Sequence, residues 1–256
     1  MKRAVLDCGF DSYPASVPRI LDRLGADRIF SGQDTILLKP NLVNDDPFPV
    51  TTSPEFCRAV IKYIRACSGA RIIIAEGCGD AVLETDEVFR ALKFDRLARE
   101  TEVELLDLNH APLVRRELPG NTIFPEFYLP EIAGNSFILS LPVLKAHSLA
   151  RITGTLKNMM GFAPPEHYSG SGFWKKAVFH SKMQASLMEL NRYIVPDLTL
   201  MDASVGLSEY HLGGPTCDPP VNRLLAGTDP FAVDRAAARL LGLDPDTIPH
   251  IRIREC

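Results

Sequence analysis

Short apolar runs of strand length recur along the chain, each followed by a stretch of helical period, and this alternation constrains the fold more than any other feature. Residues 4–6, 35–38, 70–75, 103–106, 135–140, 197–201 and 222–226 read as strands. Helices are predicted over about residues 15–24, 52–67, 86–100, 179–193 and 229–241. Thr52 and Glu55 fit a capping box with Pro54 in the first turn, and Asp229 with Pro230 reads as the cap of the last long helix. The run 70–75 is apolar enough to be covered on both faces. The alternation predicts an α/β fold, a three-layer sandwich with a largely parallel sheet and helices on both faces. With no internal repeat, low-complexity tract or Pro/Gly linker, residues 1–256 are expected to form a single α/β domain. Two long irregular segments, 113–130 and 161–176, are expected to carry function.

A net charge of −4 with scattered basic residues argues against nucleic-acid and polybasic membrane surfaces. No segment approaches the roughly eighteen apolar residues that a membrane helix needs. The N-terminus meets Asp7, Asp11 and Pro14 so early that it reads as a first strand rather than a signal peptide, and a cytoplasmic location is expected. Cys8, Cys57, Cys67, Cys78, Cys217 and Cys256 show no Cys-x-x-Cys spacing, so no zinc site, iron–sulfur cluster or disulfide scaffold is expected. Glycine-rich dinucleotide and phosphate loops and the Gly-x-Ser-x-Gly elbow are missing, which counts against dinucleotide binding, NTPase action and α/β-hydrolase chemistry.

Polar residues collect where the predicted strands end. Lys39-Pro40-Asn41 follows the second strand, Glu76 the third, Lys145 and His147 the run 135–140, and Asp202 the run 197–201. Gly227 and Asp229 follow the last. The carboxyl edge of a parallel sheet is where open α/β folds bind ligands. Bland readings stand beside this one. Glu76 and Asp202 fit turn or cap positions, Asp234 a solvated helix face, and Lys39 a lysine that snorkels out of the sheet edge. Lys39 is fixed by Pro40, however, and a helix N-terminus arrives about eleven residues later, so lysine and free amides together suit an anion.

The densest signal lies in residues 141–161. Lys145 and His147 share one face of a predicted extended loop, and Lys157 and Asn158 follow Thr153-Gly154-Thr155. Gly154 and Gly161 are expected to let backbone approach a ligand, beside an adaptable wall of Met159 and Met160. Lys39, Lys145 and Lys157 are expected to clamp a carboxylate or phosphate, and Asn41 and Asn158 to orient it. Thr153, Thr155, Glu76 and Asp202 complete the ligand-binding set. His147 is expected to act as general acid or base, its pKa lying nearest the working pH, and a desolvated Lys145 suits Schiff-base chemistry. His167, His180 and His211 read chiefly as structural or surface residues, and no regular metal-ligand spacing is present.

These segments resemble the domain-of-unknown-function 362 family. The matching elements are Leu37-Leu38-Lys39-Pro40-Asn41, Thr52-Ser53-Pro54-Glu55, Leu141-Pro142-Val143-Leu144-Lys145-Ala146-His147 and Thr153-Gly154-Thr155-Leu156-Lys157-Asn158-Met159-Met160-Gly161. Asp202, Gly213-Gly214-Pro215 and Asp229-Pro230-Phe231-Ala232-Val233-Asp234 continue the likeness in order. The resemblance implies no assigned activity. Many relatives carry appended ferredoxin-like iron–sulfur modules, which implies redox work in those members; this chain reads as a short member without the clustered cysteines, and relatives often continue past the equivalent of Cys256. The leading expectation is an enzyme acting on a small anionic metabolite by proton transfer, isomerisation or group transfer. The alternatives are a redox accessory that holds a metal or cofactor through Cys8, Cys78 or Cys217 and meets a redox protein partner, and a non-catalytic ligand-binding module.

Overall fold

The computed structural model describes residues 5–252; Ala4, expected in the first strand, and Cys256 lie outside the described residues. Its strands are β1 (Leu6–Gly9), β2 (Thr35–Pro40), β3 (Arg71–Glu76), β4 (Glu104–Asp107), β5 (Leu113–Glu117), β6 (Glu126–Pro130), β7 (Phe137–Leu141), β8 (Val143–His147), β9 (Arg151–Thr153), β10 (Leu198–Leu207) and β11 (Arg223–Gly227). Nine of them form one sheet in the order β1-β11-β10-β7-β2-β3-β4, with β8 joined to β10 and β9 to β8. The block from β10 to β4 is parallel throughout. The helices are α1 (Tyr13–Leu24), α2 (Ala26–Phe30), α3 (Pro54–Cys67), α4 (Thr85–Ala91), α5 (Phe94–Thr101), α6 (Thr155–Asn158), α7 (Pro165–Tyr168), α8 (Met183–Tyr193) and α9 (Pro230–Leu240). The result is a three-layer α/β sandwich. No helix among the described residues is long and apolar enough to cross a membrane.

The period-two alternation of strand side chains divides the core. Ile36, Leu38, Ile72 and Ile74 pack on one side against Val17, Ile20, Phe56, Val60 and Phe89 from α1, α3 and α4. Leu37, Ile73 and Ala75 turn to the other side and meet Phe127, Phe162, Phe179, Leu187 and Leu190. A third cluster sets Leu144, Ile152, Met201 and Leu225 against Val233, Ala237 and Ala238 of α9.

Several elements differ from the sequence expectations. The helix expected over 86–100 is two helices, α4 and α5, separated where Lys93 takes a left-handed φ of 66°. The irregular stretch 113–130 contains an antiparallel pair, β5 with β6. Strand β10 continues to Leu207, which leaves Asp202 in mid-strand. Strand β11 is antiparallel to its neighbours, and Gly227 pairs with Thr199 near the start of β10. Thr199 pairs in turn with Ser140 and Ser140 with Lys39, so Gly227 lies in the row of Lys39, and β11 reaches it running against the parallel block. Asp229 caps α9, its carboxylate accepting from the Phe231 and Ala232 amides at 3.0 and 3.3 Å.

The expected Thr52–Glu55 box does not form, because Ser53 is the N-cap of α3 and accepts from the Glu55 amide at 3.2 Å. Thr52 is spent elsewhere. Its hydroxyl accepts from the Asn41 amide and donates to the Leu141 carbonyl, each at 2.8 Å, and so ties the ends of β2 and β7 together. Thr52→Val keeps the shape but strands a buried amide and carbonyl, a loss of about 1–3 kcal/mol. Urea denaturation should show a lower midpoint with an unchanged slope.

Candidate functional site

The foundation of the site is an ion pair at the ends of two adjacent parallel strands. Lys39 on β2 and Glu76 on β3 are both buried, with Nζ and Oε1 2.6 Å apart. Lys39 Nζ also donates to the Pro40 carbonyl at 2.8 Å and to Asn158 Oδ1 at 3.2 Å. Glu76 accepts from the Gly77 amide at 2.9 Å through Oε1 and from the Leu42 amide at 2.7 Å through Oε2. Burial pushes the Lys39 ammonium below its ordinary range, and the Glu76 charge opposes that shift. Gly161 lies directly on this pair: a Cβ there would stand 2.3 Å from Lys39 Cε and 2.4 Å from Glu76 Oε1. The close approach expected toward a ligand is thus made toward the ion pair.

A cavity of about 210 Å³ adjoins it. The segment expected as an extended loop is a strand, β8, hydrogen-bonded to both β9 and β10. The period of two holds within it: Lys145 and His147 line the cavity, while Leu144 points into the cluster under α9. Lys145 donates to Asn41 Oδ1 at 2.6 Å and to the Val50 carbonyl at 2.5 Å. Burial, with Lys157 nearby, brings its pKa down to about 7. Its cross-strand partner Thr153 has a buried hydroxyl without a hydrogen bond among the described residues.

Lys157 is half-buried in the same wall, and its ammonium has neither hydrogen bond nor ion pair among the described residues. Desolvation and the Lys39 charge lower it to about 8. A fourth lysine, Lys176, donates to Asn109 Oδ1 at 2.9 Å and to the Ala163 carbonyl, and burial lowers it to about 7. Glu76 is the one carboxylate lining the cavity among the described residues, and it already holds Lys39.

The imidazole of His147 is fixed by its surroundings. Nδ1 accepts from the Leu149 and Ala150 amides at 3.0 and 3.2 Å, which leaves the ring proton on Nε2. Burial, together with Lys157 and His211, drives its pKa down, so the ring is neutral. His211 stacks on it with centroids 3.8 Å apart, and burial lowers His211 to about 3. His180 also lines the cavity, whereas His167 stacks on Tyr128 outside its wall.

A family described as a domain of unknown function (DUF362) matches residues 36–239. The chain belongs to that family. A similar protein, the thylakoid-associated protein sll1697 of Synechocystis sp., is 26% identical over 257 residues, which covers 95% of this chain and 74% of that one.

The DUF362 segment contains every residue so far placed around the cavity, and it ends within α9, which contributes from a distance. Asp234 of α9 was expected to be solvated; it is fully buried, and its carboxylate accepts from the Thr155 amide at 2.6 Å and the Leu156 amide at 2.9 Å. Burial raises its pKa to about 6 in spite of those amides. The contact fixes the start of α6 and thereby aims Lys157 and Asn158. Gly154 is required there, since a Cβ would fall 2.3 Å from Asp234 Oδ1.

Of the ten expected site residues, Asn41, Glu76, Lys145, His147, Thr153, Lys157 and Asn158 line the cavity. Lys39 lies behind the wall on Glu76, and Thr155 acts through its amide on Asp234. Asp202 is not brought to the cavity. It accepts from the Tyr13 hydroxyl at 2.6 Å and the Ser204 amide at 2.9 Å, and so anchors α1 to β10. Lys176, Asn109, His211 and Asp234 lie outside the expected set. Asp234 alone had a usable signal, as an acid whose i+3 and i+4 neighbours, Ala237 and Ala238, belong to the apolar face.

Cys8, Cys78 and Cys217 join no metal-binding group among the described residues. Glu84, Asp107 and His110 bring ligand atoms within 4.8 Å of one another at the surface. Two contacts already occupy them: Lys175 with Glu84 at 3.2 Å, and Asp107 with His110 at 2.7 Å. The ion pair beneath the DUF362 cavity makes a direct prediction. Glu76→Gln leaves a buried lysine unpaired and should destabilise the fold by about 3–5 kcal/mol, while Glu76→Gln with Lys39→Met should recover much of that loss in urea denaturation.

Proposed function

We propose that the cavity binds a small carboxylate- or phosphate-bearing metabolite and that the protein is an enzyme acting on it. One observation carries this reading: Lys145, Lys157 and Lys176 face a single cavity whose one lining carboxylate is already bonded to Lys39. Desolvated ammonium groups lacking a counter-charge favour an anion, which restores the electrostatic balance that burial removed.

The roles differ in part from those expected. Asn41 and Asn158 act on the lysines, each offering an amide oxygen to an ammonium. His147, with Nδ1 occupied by two amides, serves as a donor through Nε2 and polarises a ligand oxygen. Lys145, brought to about 7, is the better proton carrier near neutral pH. Together these groups suit proton transfer or isomerisation next to an anionic group.

Sulfate tests the anion site, because its own charge is constant over the relevant range. The lysines are charged below their pKa values of about 7, 8 and 7 and neutral above them. Sulfate affinity should therefore be highest near pH 6 and fall by roughly tenfold or more by pH 9.5, read by calorimetry. Lys157→Met should weaken binding at pH 6 and flatten the profile. A pH-independent affinity, or a Lys157→Met variant that binds as tightly as the parent, counts against the reading. Catalysis is checked by following a panel of small carboxylates and phosphates by NMR, with turnover expected in the parent and lost in Lys145→Met.

A further inference from the structure

Six large apolar side chains are exposed among the described residues: Val82, Leu149, Phe173, Trp174, Val195 and Tyr210. Leu149, Trp174 and Tyr210 belong to the cavity wall, and Phe173, 74% exposed, packs edge-on against Trp174 with centroids 5.4 Å apart. Four of the six thus stand at one mouth. They come from three separate segments, after β8, within 161–176 and after β10, so they are not the by-product of one amphipathic element. Met160 and Leu212 continue the apolar surface inward. The segment that carries Phe173 and Trp174 to the lip also sends Lys176 into the wall two residues later.

We infer that the ligand is an amphiphile, with an anionic head among Lys145, Lys157 and Lys176 and an alkyl or aryl body lying across Leu149, Phe173, Trp174 and Tyr210. This rests on the anion reading above and adds the class of molecule. The cavity of about 210 Å³ is smaller than the roughly 300–1,000 Å³ of sites that swallow a drug-sized ligand, so a body of any size must lie on the lip. Covering that lip removes apolar surface from water. An apolar protein or bilayer surface pressed over the opening would cut three ammonium groups off from water without supplying a counter-charge, which is costly. A molecule carrying its own anion satisfies both surfaces at once.

Trp174 is the chain's single tryptophan, so its emission reports on the lip directly. The test titrates straight-chain carboxylates from acetate to decanoate, each kept below its critical micelle concentration, following Trp174 emission with calorimetry as a second readout. A fully buried methylene is worth about fourfold in affinity, so partial cover at the lip should give about twofold per methylene. Phe173→Ser should flatten this rise and leave acetate and sulfate binding unchanged. Lys157→Met should weaken every member alike.

If short carboxylates bind and chain length has no effect, the amphiphile assignment is overturned and the anion site stands. If neither carboxylates nor sulfate bind at any pH, the anion reading itself fails. Binding confined to vesicles of anionic phospholipid, absent with phosphatidylcholine vesicles and with monomeric carboxylates, overturns the inference in favour of a bilayer-docking lip. Concentration-dependent dimerisation in sedimentation that Phe173→Ser abolishes overturns it in favour of self-association.

Discussion

The buried pair of Lys39 and Glu76 governs the rest of the site. It joins the ends of two core strands, admits the backbone at Gly161 only because that residue has no side chain, and fixes Asn158 through its amide oxygen. It also uses up the negative charge available at the cavity. A charge buried alone is expensive, so Glu76 and Lys39 must stay together, and Glu76 has little left to give Lys145, Lys157 or Lys176. The cationic character of the cavity follows from where the single acid is committed, in a chain whose net charge is −4.

A common arrangement holds the buried lysines. Each gives one hydrogen bond to an asparagine side-chain oxygen and one to a backbone carbonyl: Lys39 to Asn158 and Pro40, Lys145 to Asn41 and Val50, Lys176 to Asn109 and Ala163. Neutral acceptors fix the direction of an ammonium without cancelling its charge. Only Lys39 adds a carboxylate, and only Lys39 is removed from the cavity wall. Geometry and charge are thus set by different partners, which leaves a rigidly held cluster of lysines without matching negative charge.

Much of the framework was legible because strand and helix periods are local properties. Lys39, Glu76, Lys145 and His147 could be placed since each follows or ends an apolar run whose direction is set by the parallel block. Asp202 went astray for a different reason. Strand β10 runs through an aspartate that local propensity treats as a stop. Lys176 and Asn109 lie in irregular segments with no period to read, and they meet only through tertiary packing. The chemistry of His147 depended on two backbone amides that no side-chain pattern announces.

The sequence distances within the site have a consequence for how the molecule comes to exist. Lys39 meets Asn158 across 119 positions, Asn41 meets Lys145 across 104, and Asp234 reaches back 79 to seat Thr155. Contacts of such high order form late, because the intervening chain must close first. During synthesis Lys39 and Lys145 therefore leave the ribosome as hydrated charges interrupting strand-forming segments, and such charges discourage premature edge-to-edge pairing. The pocket is a product of the completed fold, and a fragment ending before Asp234 would lack the carboxylate that seats α6.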